Sequence, residues 1–216
     1  MPSNARQKFK TKMLPDVKAM LAAHSLLNPT GQGRRKLGHI TKGGVLLLCA
    51  AWELYVEEVI EEVATKLLEV ANEPNDLPKN AQKRIAQLAG DTKKDELRAL
   101  SLAGEGWKIV YSDGLRLKLA SFNTPKSGPV DELFLSWVGK AQLSNCWSHG
   151  TNEINEFVRV RGDIAHRGAD ADYVTKAALD TYRKRVEETI KETDDCLAEY
   201  VKNSTNYKKF PWRRTH

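Results

Sequence analysis

The sequence predicts an all-α protein, an up-and-down helical bundle with a loop-rich middle insertion. Three observations lead there. Leu48, Trp52, Val56, Val59, Val63, Leu67 and Val70 recur at steps of four and three, the spacing of one helix face. Tyr182, Val186, Ile190, Leu197 and Val201 form a second apolar stripe near the end. Only residues 104–120 offer strand-like alternation, and they have no convincing second strand to pair with. Amphipathic helices without a sheet bury their apolar faces against one another.

Taken in order, a first helix is expected over about 5–27, with Pro15 inside it and Asn28-Pro29-Thr30-Gly31 as its stop. The long helix covers about 42–71 and ends at the proline-bearing segment 74–78; Glu53, Glu57, Glu58, Glu61 and Glu62 lie mostly on its other faces. Shorter helices are expected at 79–89 and 93–103. In 104–120, Asp113-Gly114 followed by Leu115, Leu117 and Leu119 has the form of a hairpin turn entering a strand. The missing partner favours a helix with a break. Residues 123–129 hold two prolines and a glycine and form a loop; Pro129 opens a short helix that Gly139 ends. Thr151 is placed to cap a helix carrying Ile154, Phe157 and Val158. After Gly168, the last helix runs over about 171–202.

The chain has 216 residues, 41% of them hydrophobic and 29% charged. That composition supports a buried core and excludes collagen, intrinsic disorder and disulfide-framed miniproteins. No apolar run approaches the roughly 20 residues that span a bilayer, and no apolar stretch follows the basic start MPSNARQKFKTK. A cytoplasmic protein without a membrane partner is expected. Cys49, Cys146 and Cys196 are scattered and form no CxxC pair, so they are expected to be separate thiols, with no structural zinc and no cofactor.

Charge divides the chain more sharply than its total of +6. Residues 1–44 carry nine Lys or Arg against Asp16, and 201–216 carry five cations and no acid, leaving the middle negative. The expected organisation is a basic N-terminal helix and linker (1–44), a helical domain (45–202) and a basic tail (203–216). Cations at both ends suit a polyanion; solvated, frayed termini are the alternative.

Several chemistries lack their motifs. There is no P-loop, HExxH or GxSxG, and Gly31-Gln32-Gly33 lacks the strand and third glycine of a dinucleotide fingerprint. The glutamate pairs of the long helix have no Glu-x-x-His to make a di-iron bundle.

One helix breaks its own pattern. Arg161 occupies the stripe formed by Ile154, Phe157, Val158, Ile164 and Ala165, where a permanent charge needs an acceptor or an interface. His166 follows in the last turn, ahead of a terminating Gly168, and helix-end carbonyls suit an imidazole to proton transfer. Asp163, three residues before it, is placed to orient the ring. Arg161 and His166 lie about 140° apart around a helix of 3.6 residues per turn, so they converge only if the helix distorts or a second subunit closes the site. The spacing alone is weak evidence: Arg34 and His39 match it too.

The wider pattern is more specific. Trp52-Glu53-x-Tyr55-Val-Glu57 in the long helix, Phe122-Asn123-Thr124-Pro125 before Leu133-Phe134, and Trp147 before Arg161-x4-His166 occur in an order that resembles the HEPN superfamily, most closely its RiboL-PSP-HEPN branch, over about 45–201. The resemblance implies a helical bundle that dimerises and brings Arg-x4–6-His motifs to the interface. It also implies metal-independent RNA cleavage of toxin or phage-defence type. Arg161 and His166 would act with Asp163, and Arg159, Arg167, Lys208, Lys209, Arg213 and Arg214 would bind RNA. The implied partners are RNA, a second copy, and an antitoxin or other defence-system protein. Gly162 departs from the Asn, Asp or His usual after the arginine, which leaves a non-catalytic module binding RNA or a partner protein as the alternative. Gly168 stands where some members have tyrosine.

Overall fold

The computed structural model describes residues 1–31, 36–90, 97–205 and 209–214, and every regular element among them is a helix. The protein is an all-α bundle. Helix α1 (Asn4–Lys8), a π-helical turn (Phe9–Met13) and α2 (Leu14–Leu27) follow without a break. The π turn lies just before Pro15. Proline lacks an N–H and crowds the carbonyl four residues back, so the ladder widens there, and the Leu14 N–H bonds the Phe9 carbonyl instead. Then come α3 (Gly38–Val70), α4 (Lys79–Gly90), α5 (Gly106–Leu119), α6 (Ser127–Val138), α7 (Asn152–Arg167) and α8 (Lys176–Ser204).

Helix α3 is the axis of the bundle. Its expected stripe is buried from Leu48 to Leu67, and it packs on α2, α5, α6, α7 and α8. Val70, the last residue of the expected stripe, is exposed. Gly44 permits the closest approach, because a β-carbon there would fall 2.4 Å from the Leu179 side chain of α8.

Three expectations are corrected. Helix α5 is continuous through Asp113-Gly114. Tyr111, Leu115 and Leu119 face the core at helical spacing while Leu117 is exposed, and the missing side chain of Gly114 admits Leu88 from α4. The helix expected at 93–103 is a 3-10 turn at Arg98–Leu102, and 93–96 fall outside the described residues. Finally, Cys146 and Cys196 are joined as a disulfide, while Cys49 is a free, buried thiol.

That disulfide ties the 3-10 turn Leu143–Cys146 to α8 across 50 residues of sequence. On loop-closure entropy, removing a cross-link of that span costs up to about 4 kcal/mol. Other bonds hold the same turn: the Trp147 indole N–H donates to Thr193 Oγ1 at 2.9 Å, and Ser144 donates to Asp131 through its backbone N–H (2.8 Å) and hydroxyl (2.6 Å). Reduction is therefore expected to lower the urea midpoint while leaving the helical circular dichroism of the folded chain unchanged. Loss of the native spectrum on reduction alone would show that the turn depends on the disulfide.

Both termini close on α8. Asp194 is fully buried; the backbone N–H of Ser3 (3.3 Å) and its hydroxyl donate to the carboxylate, and the Arg6 guanidinium lies 3.6 Å away. Trp212 is buried and its indole donates to the Asp194 carbonyl at 3.0 Å, while the Arg213 N–H donates to the Met1 carbonyl at 2.8 Å.

Candidate functional site

Helix α7 is fixed by residues from the segments that carry the sequence pattern. The Trp52 indole of α3 donates to the Pro125 carbonyl at 2.8 Å, and its ring meets Trp147 edge-on at 5.9 Å. Asn155 of α7 accepts from the Ser127 N–H and donates to the Ser127 hydroxyl, both at 2.9 Å. The Trp-Glu helix, the Asn-Thr-Pro loop and α7 are thus clasped together. At the other end, Gly168 takes φ +54°, a backbone open to glycine, and the chain turns away. The Lys42 ammonium of α3 donates to the carbonyls of Gly168 (3.0 Å), Ala169 (3.2 Å) and Ala171 (2.7 Å). A cation there satisfies the carbonyls that follow a helix end and opposes its partial negative charge.

Arg161 is half-buried on the face of α7 that meets α3. There it opposes Glu53 and Cys49, which are one turn apart. Burial raises the carboxyl of Glu53 above its ordinary range, and Arg161 partly offsets this. Burial likewise pushes the Cys49 thiol up to about 12. Glu53 Oε2 is buried without a hydrogen-bond partner. A guanidinium facing a desolvated carboxylate is held in place yet still has donors for a phosphate.

His166 is exposed, on the far side of the helix from Arg161. Asp163 does not hold its ring, because its carboxylate accepts from Arg159 at 2.6 Å. Glu156 takes the other donors of Arg159 at 2.7 and 2.8 Å. These hydrogen bonds push the Arg159 guanidinium up and hold the Glu156 carboxyl below its usual range. Arg159 is thus committed to two carboxylates of its own helix, while Arg167 is exposed at the end.

The tail cations lie elsewhere. Arg214 pairs with Glu199 at 3.2 Å and stacks over Phe210, as does Lys202. Lys209 and Arg213 are exposed, and Lys208 lies outside the described residues. Asp194, where the tail docks, is roughly 27 Å along α8 from its start at 1.5 Å per residue, and α7 ends beside that start. The structure brings Arg159, Asp163 and His166 to one face of α7; it does not bring Arg161 or the tail to that face. Trp212, among the tail's cations, is in the core.

Sequence reasoning gave no role to Lys42, Asn155 or Glu53. Glu53 stood inside the quoted pattern, and its helical register with Cys49 on the α7-facing side was the available signal. Among the described residues no three His, Cys, Asp or Glu side chains gather as a cation site.

Gly162 has open space where a β-carbon would stand. Gly162→Ala is therefore expected to stabilise the chain by about 0.5–1 kcal/mol, the usual gain inside a helix, measured by urea unfolding. A loss instead would mean that a neighbouring surface needs the glycine.

A helical bundle with Arg-x4-His on α7, clasped to a long helix bearing Trp-Glu, defines a domain of HEPN type. The family model for RiboL-PSP-HEPN domains matches residues 16–199, and the chain belongs to that family. The match begins within α2, ahead of the Trp52-Glu53 segment of α3. Such domains typically bind RNA or dimerise, and membership points to a function of ribonuclease or RNA-binding type. No curated protein and no solved structure matches the chain. Among the described residues, no helix is long and apolar enough to cross a membrane.

Proposed function

We propose that the protein is a metal-independent endoribonuclease of toxin or phage-defence type, active as a homodimer in which α7 of each subunit approaches its mate. The RNA supplies the nucleophile, its ribose 2′-OH, which attacks the adjacent phosphorus and displaces the 5′-oxygen of the next nucleotide. His166 transfers the proton as general acid or base, and Arg161 stabilises the charge on the phosphate. The observation that carries this reading is the placement of Arg161 and His166 on opposite sides of one rigid, well-anchored helix. One phosphate reaches both kinds of residue only across two copies. Asp163, tied to Arg159, supports the face that His166 shares and does not hold the ring.

The facing pair Arg161–Glu53 favours a second reading, a non-catalytic module that binds RNA or a partner protein such as an antitoxin, with Arg161 structural. The two separate on the products. Cleavage is expected to leave a 2′,3′-cyclic phosphate and a 5′-hydroxyl, to ignore excess chelator and to spare a substrate with deoxyribose at the scissile position. Mass spectrometry of the product ends reads this directly. A 5′-phosphate end, or inhibition by chelator, contradicts the assignment; RNA binding without cleavage selects the second reading.

A further inference from the structure

Where α3 and α7 part, beside the end of α7, they leave a groove of about 720 Å³, within the range of small-ligand sites. Lys42, Leu46, Cys49 and Glu53 follow one another along α3 at steps of four, three and four, so they form a single line. Cys49 and Glu53 oppose Arg161, whereas Lys42 and Leu46 line the groove together with Ile164 and Ala171. The groove therefore continues the seam on which Arg161 lies, about one turn beyond it.

Its charge is one-sided. Lys36 and the His39 imidazole stand exposed on its rim, Lys42 adds a second cation in the wall, and among the described residues no acidic side chain lines it. Lys42 donates to three carbonyls, so it contributes positive potential and not a free donor. His39 Nδ1 lies 3.1 Å from the Lys36 carbonyl, which leaves Nε2 as the remaining polar atom of the ring. Between the cations lies an apolar wall, with Leu46 still 38% exposed. Apolar surface framed by positive charge and free of carboxylates fits a ligand with a flat apolar face and an anion attached. A nucleotide has both.

We propose that this groove is a subsite for single-stranded RNA. One base lies against Leu46 and Ile164, its phosphate meets Lys36 and His39, and the strand continues along the seam towards Arg161. This rests on the reading of Arg161 as a phosphate-binding residue and adds to it the side from which the strand arrives. His39, which shares the Arg-x4-His spacing with Arg34, thereby gains a role in binding.

The test is fluorescence anisotropy of the full chain with a short, labelled, 2′-O-methylated single-stranded RNA, which cannot be cleaved. Leu46→Glu and His39→Glu change exposed side chains, so the fold is expected to survive, as circular dichroism will verify. Each is expected to weaken binding by about tenfold or more, the scale of one lost base contact. Unchanged affinity in both variants overturns the proposal. So does a Leu46→Glu chain that changes oligomeric state in sedimentation while binding RNA normally, since the groove would then be a protein interface. Failure of the ribonuclease reading looks different: unmodified RNA stays intact while both variants still lose binding, and the subsite then stands as part of an RNA-binding module. A wild-type chain that binds no RNA sinks both.

Discussion

His166→Ala is expected to slow RNA cleavage by a factor of about 10²–10⁴, the usual worth of a positioned proton-transfer group. The side chain is exposed and makes no core contact, so the variant is expected to keep the fold, oligomeric state and RNA affinity of the parent chain. Arg161→Lys is expected to fail as well, for a different reason. An ammonium keeps the charge but loses the planar fork that contacts two phosphate oxygens at once. It should also sit differently against Glu53, whose buried Oε2 awaits a donor. Single-turnover rates at saturating protein separate chemistry from binding. Full activity in His166→Ala would remove the imidazole from the mechanism.

The second large effect concerns stability. Asp194→Ala is expected to destabilise the fold by about 1–3 kcal/mol, because it takes the nearer of two carboxylates from the buried Arg6 guanidinium, Asp195 remaining at 3.9 Å. It also removes the acceptor for the Ser3 backbone N–H and hydroxyl, so the N-terminal helix should loosen. The same carboxyl gives a pH signature. Burial raises it to about 6, above its ordinary 3.8, against the hydrogen bonds from Ser3 and the charge of Arg6. Between those values the folded chain holds a proton that the unfolded chain has released. Stability from this group is therefore full below pH 4 and falls as pH rises through 6, by about 3 kcal/mol at 1.36 kcal/mol per unit. Urea unfolding at a series of pH values should show that this slope is absent in Asp194→Asn. An identical slope in both chains would assign the titration to other groups.

The long helices were legible because their information is local. The stripes of α3 and α8 repeat at helical spacing over many turns, and Arg161 stood out by interrupting such a stripe. Even the angle between Arg161 and His166 follows from the helix period. What stayed hidden depends on residues far apart in the chain. Gly114 continues α5 because Leu88 fills the space beside it, whereas Asp113-Gly114 read alone looks like a turn. Cys146 and Cys196 meet across 50 residues, and Lys42 closes α7 from well over a hundred residues away. The tail was read from its cations as an exposed arm, but Trp212 finds the Asp194 carbonyl and a place in the core. Asp163 illustrates a local competition: its spacing suits both His166 and Arg159, and the fixed charge of the guanidinium prevails.

In the proposed dimer, Arg161 of one subunit works with His166 of the other. Mixed dimers test it directly. Arg161→Ala and His166→Ala chains, each inactive alone, are given different affinity tags, co-expressed and isolated as the heterodimer. A shared site predicts that cleavage returns to about half the wild-type rate per dimer, because one of the two composite sites is again complete. A heterodimer no more active than its inactive parents would rule out a site shared between subunits.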